Sequence, residues 1–262
     1  MPPCPGLDPG PLPPDNGQHD PGAKIMTDAT LPLDAPLRNY YGRRHGKTLR
    51  HHQREFLRHD LGALSPGPVD PDVNPDRVPL DMAARFGDRP VWLDIGFGGG
   101  EHLVHQAVQN PGVEIIGCDP FINGVAMLLG KIRSAGVGNI SVYPGDVRDL
   151  FDVLPEASVA RAFLLYPDPW PKRRHHRRRF LTAQHLAPLA KVLRQGAIFR
   201  VATDSADYAR QTSADVPGYG FRRTENGPGQ GCLPWSDWAA TRYERKALRA
   251  GRVPNYLTFV RL

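Results

Sequence analysis

Cysteine is scarce: the 262 residues contain three, Cys4, Cys118 and Cys232, spread far apart. No CxxC pair and no histidine at zinc-ligand spacing accompanies them. That argues against a zinc module or a disulfide framework and fits a reducing compartment. Long apolar runs are missing too, and none approaches the ~20 residues needed to span a bilayer. The opening MPPCPGLDPG has neither a basic leader nor an apolar stretch of signal-peptide length. These absences predict a cytoplasmic protein with no membrane partner. Internal repeats are also lacking, and the length suits one domain with extensions, large enough to bury a core without staples.

Arginine is what the chain has in excess. The formal net charge is +6, and the cations gather in residues 38–58 and 172–179. Clustered guanidinium groups attract phosphates by charge alone, so one reading is a polyanionic partner and the other is two solvated surface segments.

Residues 1–36, rich in Pro and Gly, bury too little apolar surface to offset their ordering entropy and are predicted to be disordered. Residues 37–79 form a basic arm containing Tyr40, Tyr41 and Phe56, closed by a Pro/Asp loop over 65–79. The folded domain is taken as residues 80–262, and from Pro90 onward apolar strands alternate with helical patterns. VWLDIGF, VEIIGCDP, NISVYPGD, VARAFLLYPD and GAIFRVATD read as strands. EHLVHQAVQN, INGVAMLLGKIRSAG, residues 147–154, AQHLAPLAKVLRQ and SADYARQTSAD read as the helices after them. A weaker strand GYGFRRTE, a helix TRYERKALRAG and a final strand NYLTFVRL complete the chain. This alternation implies a mostly parallel sheet covered on both faces, with the last two strands adding an antiparallel, hairpin-like edge.

The first strand runs into Asp94-Ile95-Gly96-Phe97-Gly98-Gly99-Gly100-Glu101. Ligands of open α/β sheets bind beyond the carboxyl ends of the strands, so this turn is a candidate cofactor site. A nicotinamide dinucleotide wants a third glycine where Glu101 stands, and a carboxylate there repels a pyrophosphate. S-adenosylmethionine has no phosphate; it carries an ammonium, a sulfonium and a ribose diol, and should meet carboxylates. Asp94, Asp119 and Asp146 stand at three successive strand ends. Asp119 is placed for the ribose hydroxyls and Asp146 for the adenine amino group. The alternative is that all three are helix caps and turn formers.

The fourth strand leads into Tyr166-Pro167-Asp168-Pro169-Trp170-Pro171-Lys172, and the basic run follows. Prolines on both sides of Asp168 restrict its backbone and position the carboxylate at low entropic cost. A fixed acid and an aromatic ring beside phosphate-binding charge suit a modifier of nucleic-acid bases. His175 and His176 have no carboxylate co-ligands and sit among cations, which disfavours a metal site.

DIGFGGGEHL, YPDPWPKRRHHRRRF, VATDSADY and TRYERKALRAG, in this order, resemble the tRNA (guanine-N7-)-methyltransferase family. The resemblance runs from about Arg38, where NYYGRRHGK is similar to a basic N-terminal motif, to Leu262; residues 1–36 match nothing in the family. It implies a class I methyltransferase: a Rossmann-like, mostly parallel seven-stranded sheet with helices on both faces. It implies S-adenosylmethionine as cofactor, lined by Asp94, Gly96, Gly98, Asp119, Asp146 and Asp168. Asp168 is also the implied catalytic residue. Lys172, Asp204, Thr241, Arg242, Tyr243 and Glu244 are implied contacts to tRNA, modified in the variable loop at position 46. No metal and no obligatory partner subunit are expected. Where the family often carries Glu, this chain has Asp94 and Asp119, shorter by one methylene. Methylation of another base or of a protein, and a catalytically idle RNA-binding role, are the competing readings.

Overall fold

The computed structural model describes residues 40–224 and 231–262. The segment 1–36, read as disordered, lies outside the described residues. Fifteen α-helices and β-strands are described. In chain order they are α1 (His51–His59), α2 (Met82–Phe86), β1 (Val91–Ile95), α3 (Glu101–Gln109), β2 (Glu114–Cys118), α4 (Ile122–Ala135), β3 (Ile140–Tyr143), α5 (Val147–Val153), β4 (Val159–Leu165), α6 (Ala183–Val192), β5 (Leu193–Thr203), α7 (Ala206–Asp215), β6 (Phe221–Arg223), α8 (Arg242–Arg249) and β7 (Asn255–Arg261).

The sheet has seven strands in the order β3-β2-β1-β4-β5-β7-β6. β1 to β5 run parallel, whereas β7 is antiparallel to both β5 and β6. This is the class I methyltransferase sheet. Neighbouring residues along each central strand face opposite sides, which is why near-continuous apolar runs are needed here. Leu93, Ile116 and Leu164 join a core with Leu150 of α5, Leu186 and Leu189 of α6, and Tyr208 of α7. Trp92, Ile115 and Phe163 join a second core with Leu103 of α3 and Val125, Leu128 and Leu129 of α4.

Two features depart from the sequence patterning, the end of α6 and the helix in the basic stretch, whereas the edge strands follow it. The helix expected over 183–195 stops at Val192, because Leu193 pairs with Val159 and begins β5. Sheet pairing overrides the helical propensity of Leu, Arg and Gln there. The last two strands pair antiparallel and form the edge, as expected, with Phe221 opposite Arg261. β7 inserts between β5 and β6, with Phe199 opposite Phe259, and leaves β6 at the edge. Within the basic stretch, α1 forms and lies on α4, where Phe56 meets Gly130 and Arg133 sits 5.5 Å above the Phe56 ring.

Candidate active site

All five parallel strands end at one edge of the sheet, and the residues that follow them meet there. Asp94 lies within β1 and is 2% exposed. The turn after it approaches α4 closely. A Cβ on Gly124 would come within 2.2 Å of the Gly98 carbonyl oxygen, so only glycine fits. Gly98 itself, at φ 59°, faces the Tyr243 ring, whereas Gly96 opens onto free space. Backbone rather than side chain therefore forms the surface of the turn.

Asp119, at the end of β2, accepts from Gly98 N at 2.7 Å and from Phe121 N at 2.8 Å. Burial pushes its carboxyl up from 3.8 to about 6, the Asp94 charge pushes the same way, and the two N–H donors pull against them. Asp146 caps α5 and is gripped by Arg148, with Nε 3.0 Å from Oδ1 and Nη2 2.6 Å from Oδ2. Despite burial, that guanidinium holds Asp146 below the usual carboxylate range. Glu101 opens α3 and pairs with Lys131 at 3.0 Å.

A small cleft beside Asp94 and Glu101 is lined by these two residues and by Gly96, Phe97, His102, Leu165, Thr241 and Tyr243. Two mutually repelling buried carboxylates suit a ligand that brings ammonium and hydroxyl donors; a phosphate would add to the repulsion. This donor set is compatible with the ammonium and hydroxyl groups of S-adenosylmethionine.

Beyond β4 the chain turns sharply. Tyr166 and Trp170 both adopt positive φ, 53° and 41°, a conformation costly for side chains of this size. Asp168 lies between them, exposed, and takes part in no side-chain hydrogen bond or ion pair among the described residues. Lys172 precedes a 3₁₀ helix over Arg173–Arg178 and is also exposed. Arg178 stands 5.0 Å from the Trp170 ring and 5.3 Å from the Tyr41 ring, so the basic arm reaches the loop through one guanidinium.

A family model described as a putative methyltransferase matches residues 88–255. A tRNA (guanine-N(7)-)-methyltransferase of Jannaschia sp. (strain CCS1) is 66% identical over 224 residues, covering 86% of this chain and 94% of its own length. One of Ruegeria pomeroyi is 66% identical over 229 residues, with coverages of 87% and 97%. A more distant one, of Nitrobacter hamburgensis, is 41% identical over 247 residues, with coverages of 93% and 94%. The chain belongs to the tRNA (guanine-N(7)-)-methyltransferase family.

The residues implied to touch tRNA fall into two groups. Thr241 caps α8 by accepting from Glu244 N at 3.1 Å, and it borders the cleft. Arg242 reaches Met127 Sδ at 3.6 Å, and Tyr243 covers Gly98. Asp204 pairs with Arg252 Nε at 2.7 Å and stays partly exposed. Glu244 and Thr241 are the most buried of these residues. Glu244 is 6% exposed, accepts from Trp238 Nε1 at 2.8 Å and from the Tyr256 hydroxyl, and so turns into the core.

Two functional candidates are hidden from sequence reasoning. His102 is buried with Nδ1 3.4 Å from Asp94 Oδ2, and its ring packs on Phe163 and Trp238. Its place one residue into α3, on the inward face, is the available signal. Arg179 is buried as well, although it closes a run of seemingly equivalent cations. Among the described residues no three His, Cys, Asp or Glu side chains converge to hold a metal ion, and no helix is long and apolar enough to cross a membrane.

Proposed function

We propose that this chain methylates N7 of a guanine in tRNA, at position 46 of the variable loop, with S-adenosylmethionine as methyl donor. The observation that carries the reading is the placement of Asp168. It stands exposed beyond the end of β4, between two aromatic residues at positive φ, three residues after Leu165 of the cleft and four before the cationic run begins at Lys172. Identity of 66% to named relatives over most of both chains supports the same chemistry.

The bound cofactor supplies an electrophilic methyl group on a sulfonium. Guanine N7 carries an exposed lone pair on its major-groove edge, so no base has to remove a proton before methylation. Positive charge then builds on the purine. The Asp168 carboxylate, fixed between prolines, stabilises that charge and orients the ring, which is electrostatic preorganisation. Asp94 and Asp119 hold the cofactor by its ammonium and diol. Lys172 and the exposed arginines beside it contact tRNA phosphates, and Asp204, Thr241, Arg242 and Tyr243 border the acceptor. Residues 80–262 are the catalytic domain and residues 37–79 an RNA-binding arm. The protein acts in the cytoplasm without an obligatory partner subunit.

Incubation with labelled S-adenosylmethionine and unmodified bulk tRNA, followed by nucleoside analysis, tests the reading. The expected product is 7-methylguanosine, mapped to the variable loop. A different methylated nucleoside, or label confined to protein, would overturn it.

A further inference from the structure

In sequence, residues 172–179 form a single cationic patch, yet the structure separates its last member from the rest. Arg179 is 2% exposed and is among the largest fully buried side chains described. Its Nε–H donates to the Pro169 carbonyl at 2.9 Å. Nη1 donates to Gln211 Oε1 at 2.6 Å and Nη2 to Asp207 Oδ2 at 2.5 Å, with His176 Nε2 3.0 Å from Nη2. The guanidinium lies 5.3 Å from the centre of the Tyr208 ring. Asp207, Tyr208 and Gln211 all belong to α7, so one side chain joins the Asp168 loop to a regular helix.

Pro169 is the residue between Asp168 and Trp170, and its carbonyl is the handle by which the loop is gripped. The far end of the loop is tied by Tyr166 N donating to Ala202 O at 2.7 Å. Backbone held at positive φ persists only where the surroundings over-determine it. The bond from Arg179 falls inside that stretch, next to Trp170 at φ 41°. A guanidinium buried against a helix cannot also neutralise a phosphate.

The geometry points to Arg179 as a positioning residue: it fixes the Asp168 carboxylate by clamping the Pro169 carbonyl to α7, and it makes no contact with tRNA. Lysine cannot replace it, because a planar fork serves three acceptors in different directions and an ammonium on a flexible stem does not. The inference rests on the reading of Asp168 as the residue at the reacting base.

The test compares Arg179→Lys and Arg179→Ala with Asp207→Asn, which changes a half-exposed partner and leaves the core intact. For the Arg179 variants kcat should fall by roughly 100-fold, as small displacements of a reacting group do. Affinity for tRNA, the salt dependence of that affinity and cofactor affinity should stay at wild-type values. Amide hydrogen exchange at Asp168 and Trp170 should quicken, and methylguanidinium added to Arg179→Ala should restore turnover where methylammonium does not. Asp207→Asn should show the same pattern more weakly, and it decides the matter if the Arg179 variants do not fold. Wild-type kcat in a folded Arg179→Lys, or in Asp207→Asn when that variant decides, overturns the positioning role. So does a flattened salt dependence in Arg179→Lys, which would make Arg179 a phosphate ligand. Full turnover by Asp168→Ala would instead overturn the reading of Asp168, whereas an inactive Asp168→Ala beside a fully active Arg179→Lys overturns only the positioning role.

Discussion

The backbone N–H of Gly98 donates to Oδ2 of Asp119 across 2.7 Å, so the turn after β1 and the end of β2 share one buried carboxylate. The glycine turn and the acid proposed to bind the ribose are therefore one structural unit, and each should fail when the other is changed.

Asp119→Ala should weaken S-adenosylmethionine binding by roughly 1.5–3 kcal/mol, the loss of a charge-assisted hydrogen bond. Calorimetric titration measures this, and unchanged affinity in a folded variant removes Asp119 from the site. Wild-type affinity should also drop as pH falls through about 6, where the buried carboxylate takes up a proton.

The same shift sets a stability profile. The folded pKa of about 6 lies above the reference value of 3.8, so the folded state holds the proton more tightly than the unfolded one. The stability this contributes is full below the unfolded pKa and is lost as pH rises through the folded one. Melting temperatures of Asp119→Asn and wild type should therefore diverge in favour of the variant between about pH 4 and about pH 6. Parallel profiles would show that the carboxyl is not perturbed.

Gly124→Ala should push α4 away from the glycine turn, because the new methyl meets the Gly98 carbonyl at 2.2 Å and neither partner is a flexible side chain. We expect a loss of about 1–3 kcal/mol in stability and a larger loss in cofactor affinity. Gly138→Ala, where an added Cβ meets nothing within 4 Å, is the control. Equal behaviour of the two variants in denaturant titration would contradict the close approach.

Asp168→Ala should lower kcat by roughly 10²–10³-fold, as removal of a preorganised charge does, while tRNA affinity stays nearly intact. The exposed cations beside it supply the attraction to phosphates. Single-turnover kinetics separates the two quantities, and near-normal turnover refutes the role.

Neutralising Arg43, Lys47 and Arg50 to Gln should flatten the salt dependence of tRNA binding by ~0.7–0.9 for each phosphate that is no longer neutralised. All three are exposed on the basic arm. Removing residues 1–36, which carry almost no positive charge, should change neither affinity nor slope. A wild-type slope in the triple variant would mean that the arm is a solvated surface.

Periodicity made the alternation of strands and helices legible from residue 90 onward, since two-residue and 3.6-residue repeats are local properties of the chain. Asp94, Asp119, Asp146 and Asp168 were marked by the same pattern: in a parallel sheet every strand ends at the same edge, so a carboxylate at each strand end stands at that edge. Position in the sheet could not be read in the same way: β7 lies between β5 and β6 because of pairings such as Phe199 with Phe259, which are distant in sequence.

The chain's own order of residues thus determined the sheet, the glycine turn and the acids and cations gathered at its edge. Tertiary structure alone decided how similar residues share the work. Arg178 faces Trp170 and Tyr41, whereas Arg179 is sealed against Asp207 and Gln211; Asp119 takes backbone donors, whereas Asp146 is held by Arg148. Glu244 turns inward to Trp238 and Tyr256 although it follows the exposed Tyr243. Burial of a charge depends on whether remote groups complete its hydrogen bonds, and no local pattern carries that information.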